Sequence, residues 1–592
     1  MKKLPWKNKA FLIILALLST MSLKYCVNDT QESIAYSNSF VTIVIFTLLS
    51  YGLMRITVSE CWEKAIQYIN FSCAFLLLFF SAIVSGVQLD NLGYVAFDNI
   101  LRYLAVVILS ICGGAFLSVV LVRFQNSLEH DITEKSKHCF IKVWIILICA
   151  YVPVLLAAWP GFFTYDATVE SHMVLTEKYS AHHPMTHVLL LGWIIRIVYA
   201  LTKSYNLGIA LYTCIQLIVV SLCFAYMINF LNEIGVKKWI KNISIIFLAL
   251  FPTVSMFVSC STKDVYFSAG LVLITTLLFE MAYDASAFWN SKKKVLLFVL
   301  ASLIVVLFRN NGVYAYVVFL FFMVPIYKEY WKKMLPTIGA VFVIMVFWNA
   351  SVNLIFDVKP GPKAEMLCVP MQQLARMHSE AKGEFSTEEL EVLYTLIPET
   401  VLEKYNPKLA DNVKVNFLED NFFAEPQKYI DLWIQMGLRR PDIYINSILE
   451  NTYGYWYPDT IIDGYKGKWL VTREYEDSSY FAFETEMPGV RKSLIPILEG
   501  FYEKISLTIY QQKIPVVSML FSPGFYSWIY IFVIMYLLKF GYKKQAFSLV
   551  LMFLVYLTML LGPIAIVRYV LYYFFAVPLV VAVFFDTKKF EK

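Results

Sequence analysis

Charge is what this chain has least of. Asp, Glu, Lys and Arg make up 16% of its 592 residues, while 59% are hydrophobic. A soluble protein of that balance would expose too much apolar surface to stay dissolved. The ten cysteines show no paired spacing, and most sit singly inside apolar runs, as do Cys73, Cys112, Cys149 and Cys223. This excludes a disulfide framework and a Cys-based zinc site. No HExxH motif occurs, so a zinc-peptidase reading has no footing. There is no internal repeat and no low-complexity tract. No small-residue cleavage site follows the first apolar run, so Lys2, Lys3, Lys7 and Lys9 are expected to precede a retained signal-anchor. The net charge of +6 comes from short clusters between apolar runs. That pattern fits a membrane protein and not a nucleic-acid partner.

What the chain has in abundance is apolar runs of about 20 residues, the length that crosses a hydrocarbon core roughly 30 Å thick. Spans are expected near 9–27, 39–55, 67–87, 102–123 and 138–158, then 207–231, 242–258, 265–284, 295–309, 313–327 and 334–355. After a polar stretch at 356–513 come 514–538, 545–563 and 568–585. The run 184–203 is apolar enough to be another. Basic clusters decide against it, because they belong on the cytoplasmic side. These clusters are Lys135/Lys137/Lys142, Lys237/Lys238/Lys241, Lys292/Lys293/Lys294, Lys328/Lys332/Lys333, Lys539/Lys543/Lys544 and Lys588/Lys589. All of them fall inside if 184–203 lies flat on the outer surface, and Arg196 in its middle agrees, since a mid-bilayer arginine costs at least ~2.5 kcal/mol.

The expected fold is therefore an all-α polytopic membrane protein of about 14 transmembrane helices. Both termini are cytoplasmic, and one amphipathic helix lies on the outer face. Four parts are expected: N-terminal helices (1–125), a core (138–355) with an outer loop at 159–206, an extracytoplasmic domain (356–513) that is mainly α or α+β, and C-terminal helices (514–592).

Lone basic residues at outer helix ends run against the positive-inside trend. They are Lys263, Arg309 and Arg568. An anionic lipid phosphate would account for them; snorkelling or an ion pair is the plainer account. The most polar constellation is the loop Trp159-Pro160-Gly161-Phe162-Phe163-Thr164-Tyr165-Asp166, followed by Glu170, His172, His182, His183 and His187. Four of the chain's seven histidines fall here. Asp166 and Glu170 are four apart and share a face if a helix forms. A carboxylate here serves as a general base or holds a divalent cation, and the histidines grip a metal or a phosphate. A capped surface loop is the bland alternative.

Further along, Lys263-Asp264 reads either as a helix start or as a phosphate-binding lysine beside an orienting acid. In Phe308-Arg309-Asn310-Asn311-Gly312 a tight turn explains the last three residues but not Arg309. Gly562-Pro563 leads to Arg568-Tyr569. In the insert, Gln372, Gln373 and Arg376 form one group. Trp456 and Asp459, in an aromatic cluster, form another that suits a sugar ring or docks on the membrane.

Tyr165-Asp166, the following His183-Pro184 with its amphipathic helix, and Lys263-Asp264 after Pro252 resemble the GT-C superfamily of membrane glycosyltransferases. Arg309-Asn310-Asn311-Gly312, Pro370-x-Gln372-Gln373-Leu374-Ala375-Arg376 and Gly562-Pro563…Arg568-Tyr569 are similar to motifs of an uncharacterised branch from Gram-positive bacteria. The resemblance covers roughly 138–585 and leaves out the first four spans. It implies a flat "jaw" helix in the first outer loop and a catalytic carboxylate at Asp166. Many members carry a second, adjacent acid; this chain has Tyr165 there, with Glu170 as the nearest substitute, which leaves metal use open.

The implied reaction takes a sugar from a polyprenyl-phosphate donor to a cell-envelope acceptor (a glycopolymer or glycolipid) at the outer face of a bacterial plasma membrane. In it Asp166 is the general base, with Tyr165 and Glu170 beside it. Lys263, Arg309, Arg568 and His183 meet the donor phosphate. His182, Asp264, Asn310, Gln372, Gln373, Arg376, Trp456, Asp459 and Tyr569 support the site or the acceptor. A divalent cation, Mg or Mn, would sit between Asp166 and Asp264. Two rivals are a lipid-linked-sugar flippase, expected to carry charges at mid-membrane in broken helices, and a polymerase or ligase with a diphosphate-linked donor.

Overall fold

The computed structural model describes residues 6, 8–27, 40–127, 135–460, 483, 485–508 and 510–591. Lys2, Lys3, Lys7 and residues 461–482 of the insert lie outside them. Among the described residues the chain is helical, with three isolated β-bridges and no strand, so the insert is α rather than α+β there. Nine described helices are long and apolar enough to cross a membrane, and three shorter apolar helices accompany them.

Two of the expected spans are each divided between two helices. The run 242–258 is two helices, Lys238–Leu250 and Pro252–Phe257. Pro252 has no N–H to give the preceding turn and forces Phe251 into an extended conformation, φ −67° and ψ 123°. The run 545–563 likewise divides into Lys543–Ser548 and Val550–Met559. The helix Met185–Thr202, expected to lie flat, is itself long and apolar enough to cross. Its Arg196 is neutralised locally: it reaches the Glu177 carboxylate at 2.7 Å and the Val174 carbonyl at 3.1 Å.

At the centre stands the helix Lys263–Tyr283. Every residue from Lys263 to Met281 is buried, so the helix is covered on all sides. It packs against Tyr205–Glu233, Lys292–Phe308 and Leu571–Phe585. Its far end lies with the basic clusters: Glu280 pairs with Lys294, Lys333 reaches Asn290, the Lys237 amide donates to Asp586, and Gln545 donates to the Phe590 carbonyl. Its N-terminal end, opposite that basic belt, carries Lys263 and Asp264.

Residues 364–444 form a separate apolar core built from helices such as Cys368–Ala381 and Pro426–Arg439. The next helix, Pro441–Trp456, fastens this unit to the bundle. Its Asn451 donates to the Gly562 carbonyl, and its Tyr455 hydroxyl donates to the Ile564 carbonyl, at 3.0 Å each. The turn that precedes Arg568 is thereby fixed.

Candidate functional site

The loop after the helix Cys139–Ala157 is built to reverse tightly. Gly161 has φ +132°, and a Cβ there would lie 2.6 Å from Thr213 Oγ1. Phe162 then pairs in parallel with Cys260: its N–H donates to the Ser259 carbonyl and its own carbonyl accepts from Ser261 N–H. This short bridge ties the 159–166 loop to the start of the central helix. From the other side, Glu486 accepts from the Thr164 and Thr168 hydroxyls at 3.0 and 2.7 Å, and the Lys492 amide donates to the Trp159 carbonyl. Asp166 ends the loop, and Glu170 falls one turn later in the helix Ala167–Thr176.

Four separate segments meet at Asp166. Its Oδ2 lies 2.5 Å from Lys263 Nζ, 3.0 Å from Arg568 Nη1 and 3.9 Å from His183 Nδ1. Lys263 Nζ also reaches Glu170 Oε1 at 3.3 Å and His183 Nδ1 at 3.1 Å. Asp264, one residue on, pairs with Arg309 and lies 3.5 Å from Arg568. Arg309 is itself the break between Lys292–Phe308 and Asn310–Ile326, so the expected turn at Asn310-Asn311-Gly312 is instead the start of a helix. Asn311 accepts from Arg309 Nε at 3.2 Å and donates to Thr558. Aromatic faces support the cations. Tyr569 lies 4.5 Å from Arg309 and 5.0 Å from Arg568, and Tyr165 lies 4.4 Å from Arg568.

The network sets the protonation of its members. Burial raises the Asp166 pKa, but Arg568, Lys263 and His183 outweigh it and hold the carboxyl well below the usual range. Burial likewise opposes ionisation of Glu170, and His187 with Lys263 brings its pKa below normal. His183 is pushed down to about 4, first by burial and then by Lys263, so it is neutral at pH 7. Asp166 keeps 25% of its side chain exposed, whereas Glu170 keeps 1%. Asp166 is the acid that an incoming group can touch.

Asp166, Glu170 and His183 offer three donor atoms within 4.8 Å of one another, and Lys263 Nζ contacts all three. Between Asp166 and Asp264, where a divalent cation was expected, Arg568 Nη1 contacts both.

The structure brings Asp166, Tyr165, Glu170, Lys263, Asp264, His183, Arg309, Arg568 and Tyr569 together. His182 is turned away, its Nδ1 4.0 Å from Glu365. Asn310 is exposed, and its neighbour Asn311 makes the contact. Gln372 and Gln373 donate to the Asn406 and Tyr444 carbonyls; Arg376 bridges Glu450 and the Gly93 carbonyl. These three fasten the insert together and onto the N-terminal helices. Trp456 packs in a cluster with Leu89, Val95 and Tyr453, and Asp459 is exposed.

Sequence reasoning missed Glu486, Asn311, Tyr212 and Gln216. Gln216 was the one readable signal, an amide set inside the apolar helix Tyr205–Glu233.

Residues 171–592 match the family of unknown function DUF6020, and the chain belongs to it. The match includes the three cations and begins just beyond Asp166 and Glu170. No curated protein and no solved structure matches the chain.

Proposed function

We propose that this protein is a membrane glycosyltransferase. It moves a sugar from a polyprenyl-phosphate donor to a cell-envelope acceptor at the outer face of a bacterial plasma membrane. One observation carries the reading: Lys263, Arg309 and Arg568, from three separate segments, converge with Asp166 at the membrane end opposite the basic belt. A flippase would be expected to carry its charges at mid-membrane in broken helices; here they sit at helix ends. The tendency of basic clusters to face the cytoplasm supports a site on the outer side.

The donor phosphate binds the three cations, and its oxygens compete with Asp166 for Lys263 and Arg568. That competition releases Asp166 from the contacts that suppress its basicity. Asp166 takes the proton of the acceptor hydroxyl while the acceptor oxygen attacks the anomeric carbon and inverts it. The bond from that carbon to the phosphate oxygen breaks, and the cations stabilise the charge gathering on the leaving lipid phosphate. No step requires a divalent ion, since the cations are side chains.

The test is Asp166→Asn, purified in nanodiscs and supplied with a polyprenyl-phosphate sugar and an envelope acceptor. Transfer should fall by roughly 10²- to 10⁴-fold, the usual contribution of general base catalysis. Unchanged transfer at normal expression rules the assignment out. Activity only with a diphosphate-linked donor favours the polymerase or ligase alternative.

A further inference from the structure

Beneath Asp166 runs a file of four buried side chains for which the transfer step has no use. Glu170 Oε2 meets His187 Nδ1. His187 Nε2 lies 2.7 Å from the Tyr212 hydroxyl. That hydroxyl donates to Gln216 Oε1 at 2.9 Å, and Gln216 Nε2 donates to the carbonyls of Val258 and Cys260 at 2.9 and 2.8 Å. None of the four is more than 1% exposed.

The far end fixes the direction of every bond. Two carbonyls only accept, so the Gln216 nitrogen faces them and its oxygen faces Tyr212. Tyr212 has one proton and gives it to that oxygen. Toward His187 the phenol can then only accept, so His187 Nε2 carries a proton. A single proton remains to lie between His187 Nδ1 and Glu170 Oε2. Wherever it sits, on carboxylate or on imidazole, the pair has zero net charge.

We propose that Gln216 and Tyr212 are positioning residues that lock the Glu170–His187 pair in this one-proton state, so that the pair sets no net negative charge against the donor phosphate. Glu170 lies 3.3 Å from Lys263, so the charge of the pair acts directly on a cation that the phosphate would bind. The lock follows from hydrogen-bond direction; its use rests on the reaction proposed above. A sugar phosphodiester carries one negative charge. During transfer the acceptor proton passes to Asp166, which loses its charge. The electron pair of the breaking carbon–oxygen bond goes to the phosphate, which gains one. The net charge of the site is the same before and after. With a bare Glu170 carboxylate beside a neutral imidazole, the site would set one more negative charge against the donor's in a poorly solvated place, an unfavourable state.

The experiment is nitrogen NMR of the full-length protein labelled at histidine, in nanodiscs, with a His187→Gln sample to identify the His187 signals. The expected result is a proton bonded to Nε2. A bare Nε2 in the unmodified protein overturns the proposal, whatever reaction the protein catalyses. Tyr212→Phe should free His187 to adopt the other tautomer and weaken binding of a short-chain polyprenyl-phosphate sugar by roughly tenfold, about one charge-assisted contact. Retention of both the tautomer and the affinity in that variant also overturns it. An Nε2 proton found in a protein that transfers no sugar supports the lock and removes only the reaction.

Discussion

Replacing Asp264 with Asn tests whether the cations are held in readiness for an anion. Asp264 is fully buried, pairs with Arg309 through one oxygen and lies 3.5 Å from Arg568 through the other. Asn keeps the shape and removes the charge, taking from Arg309 its ion pair and from Arg568 one of its acid contacts. Breaking a buried pair by removing one partner costs about 3–5 kcal/mol. The lower figure applies here because Arg568 retains Asp166 and Arg309 retains the Tyr569 face. An anion seated among the cations should restore what the carboxylate supplied. At a hundred times its Kd a ligand stabilises the native state by about 2.7 kcal/mol, so most of the loss is recoverable. The assay is thermal unfolding in nanodiscs, with and without inorganic phosphate or a short-chain polyprenyl phosphate. Asp264→Asn should start well below the parent and gain more from the anion than the parent does. Equal gains in the two proteins, or no loss to begin with, would refute the reasoning.

Other outcomes follow from the same geometry. Because Lys263 and Arg568 fill the places a divalent cation would take, sugar transfer should persist in EDTA; loss of transfer reversed by added Mg or Mn would contradict this. His183 titrates near 4 in the folded protein against 6.5 when free, so the unfolded chain binds more protons between these values. Its contribution to stability is therefore complete above pH 6.5 and is lost as the pH falls toward 4, and His183→Gln should flatten that part of a stability-against-pH curve. Gly161→Ala places a Cβ against Thr213 at φ +132° and should cost roughly 1–3 kcal/mol of stability, read as a lower unfolding temperature. Arg376→Met strands the Glu450 carboxylate and should destabilise by about 3 kcal/mol while leaving the affinity of the remaining folded protein for polyprenyl phosphate unchanged.

The bundle and the cation convergence were legible because both are written in charge. A basic residue at an outer helix end stands out against apolar neighbours, and Lys263, Arg309 and Arg568 each did so. The acid at Asp166 was found for the same reason. Gln372, Gln373 and Arg376 also stood out, but polarity alone does not separate a residue that meets a ligand from one that joins two helices, and these three join helices. Tyr212 and Gln216 were hidden in an apolar run, where a tyrosine reads as core. Their role depends on what faces them across other helices, which no periodicity in a single chain contains. The divisions at Phe251 and Leu549 illustrate the same limit: Pro252 was visible, but whether it kinks a helix or ends one is settled by packing.

The bond between Asp166 and Arg568 joins residues 402 positions apart, and those from Thr164 and Thr168 to Glu486 span 322 and 318. A ribosome feeding this chain into a membrane therefore releases the acid long before its last partner exists. Until residue 486 is made the loop at 159–166 lacks the Glu486 clamp, and until residue 568 is made Asp166 lacks its contact with Arg568. Premature termination anywhere before residue 568 would yield a protein with no finished site. The assembly of the centre is thus a checkpoint on completion of synthesis, and a stop codon near the C-terminus should be as damaging to function as one near the middle.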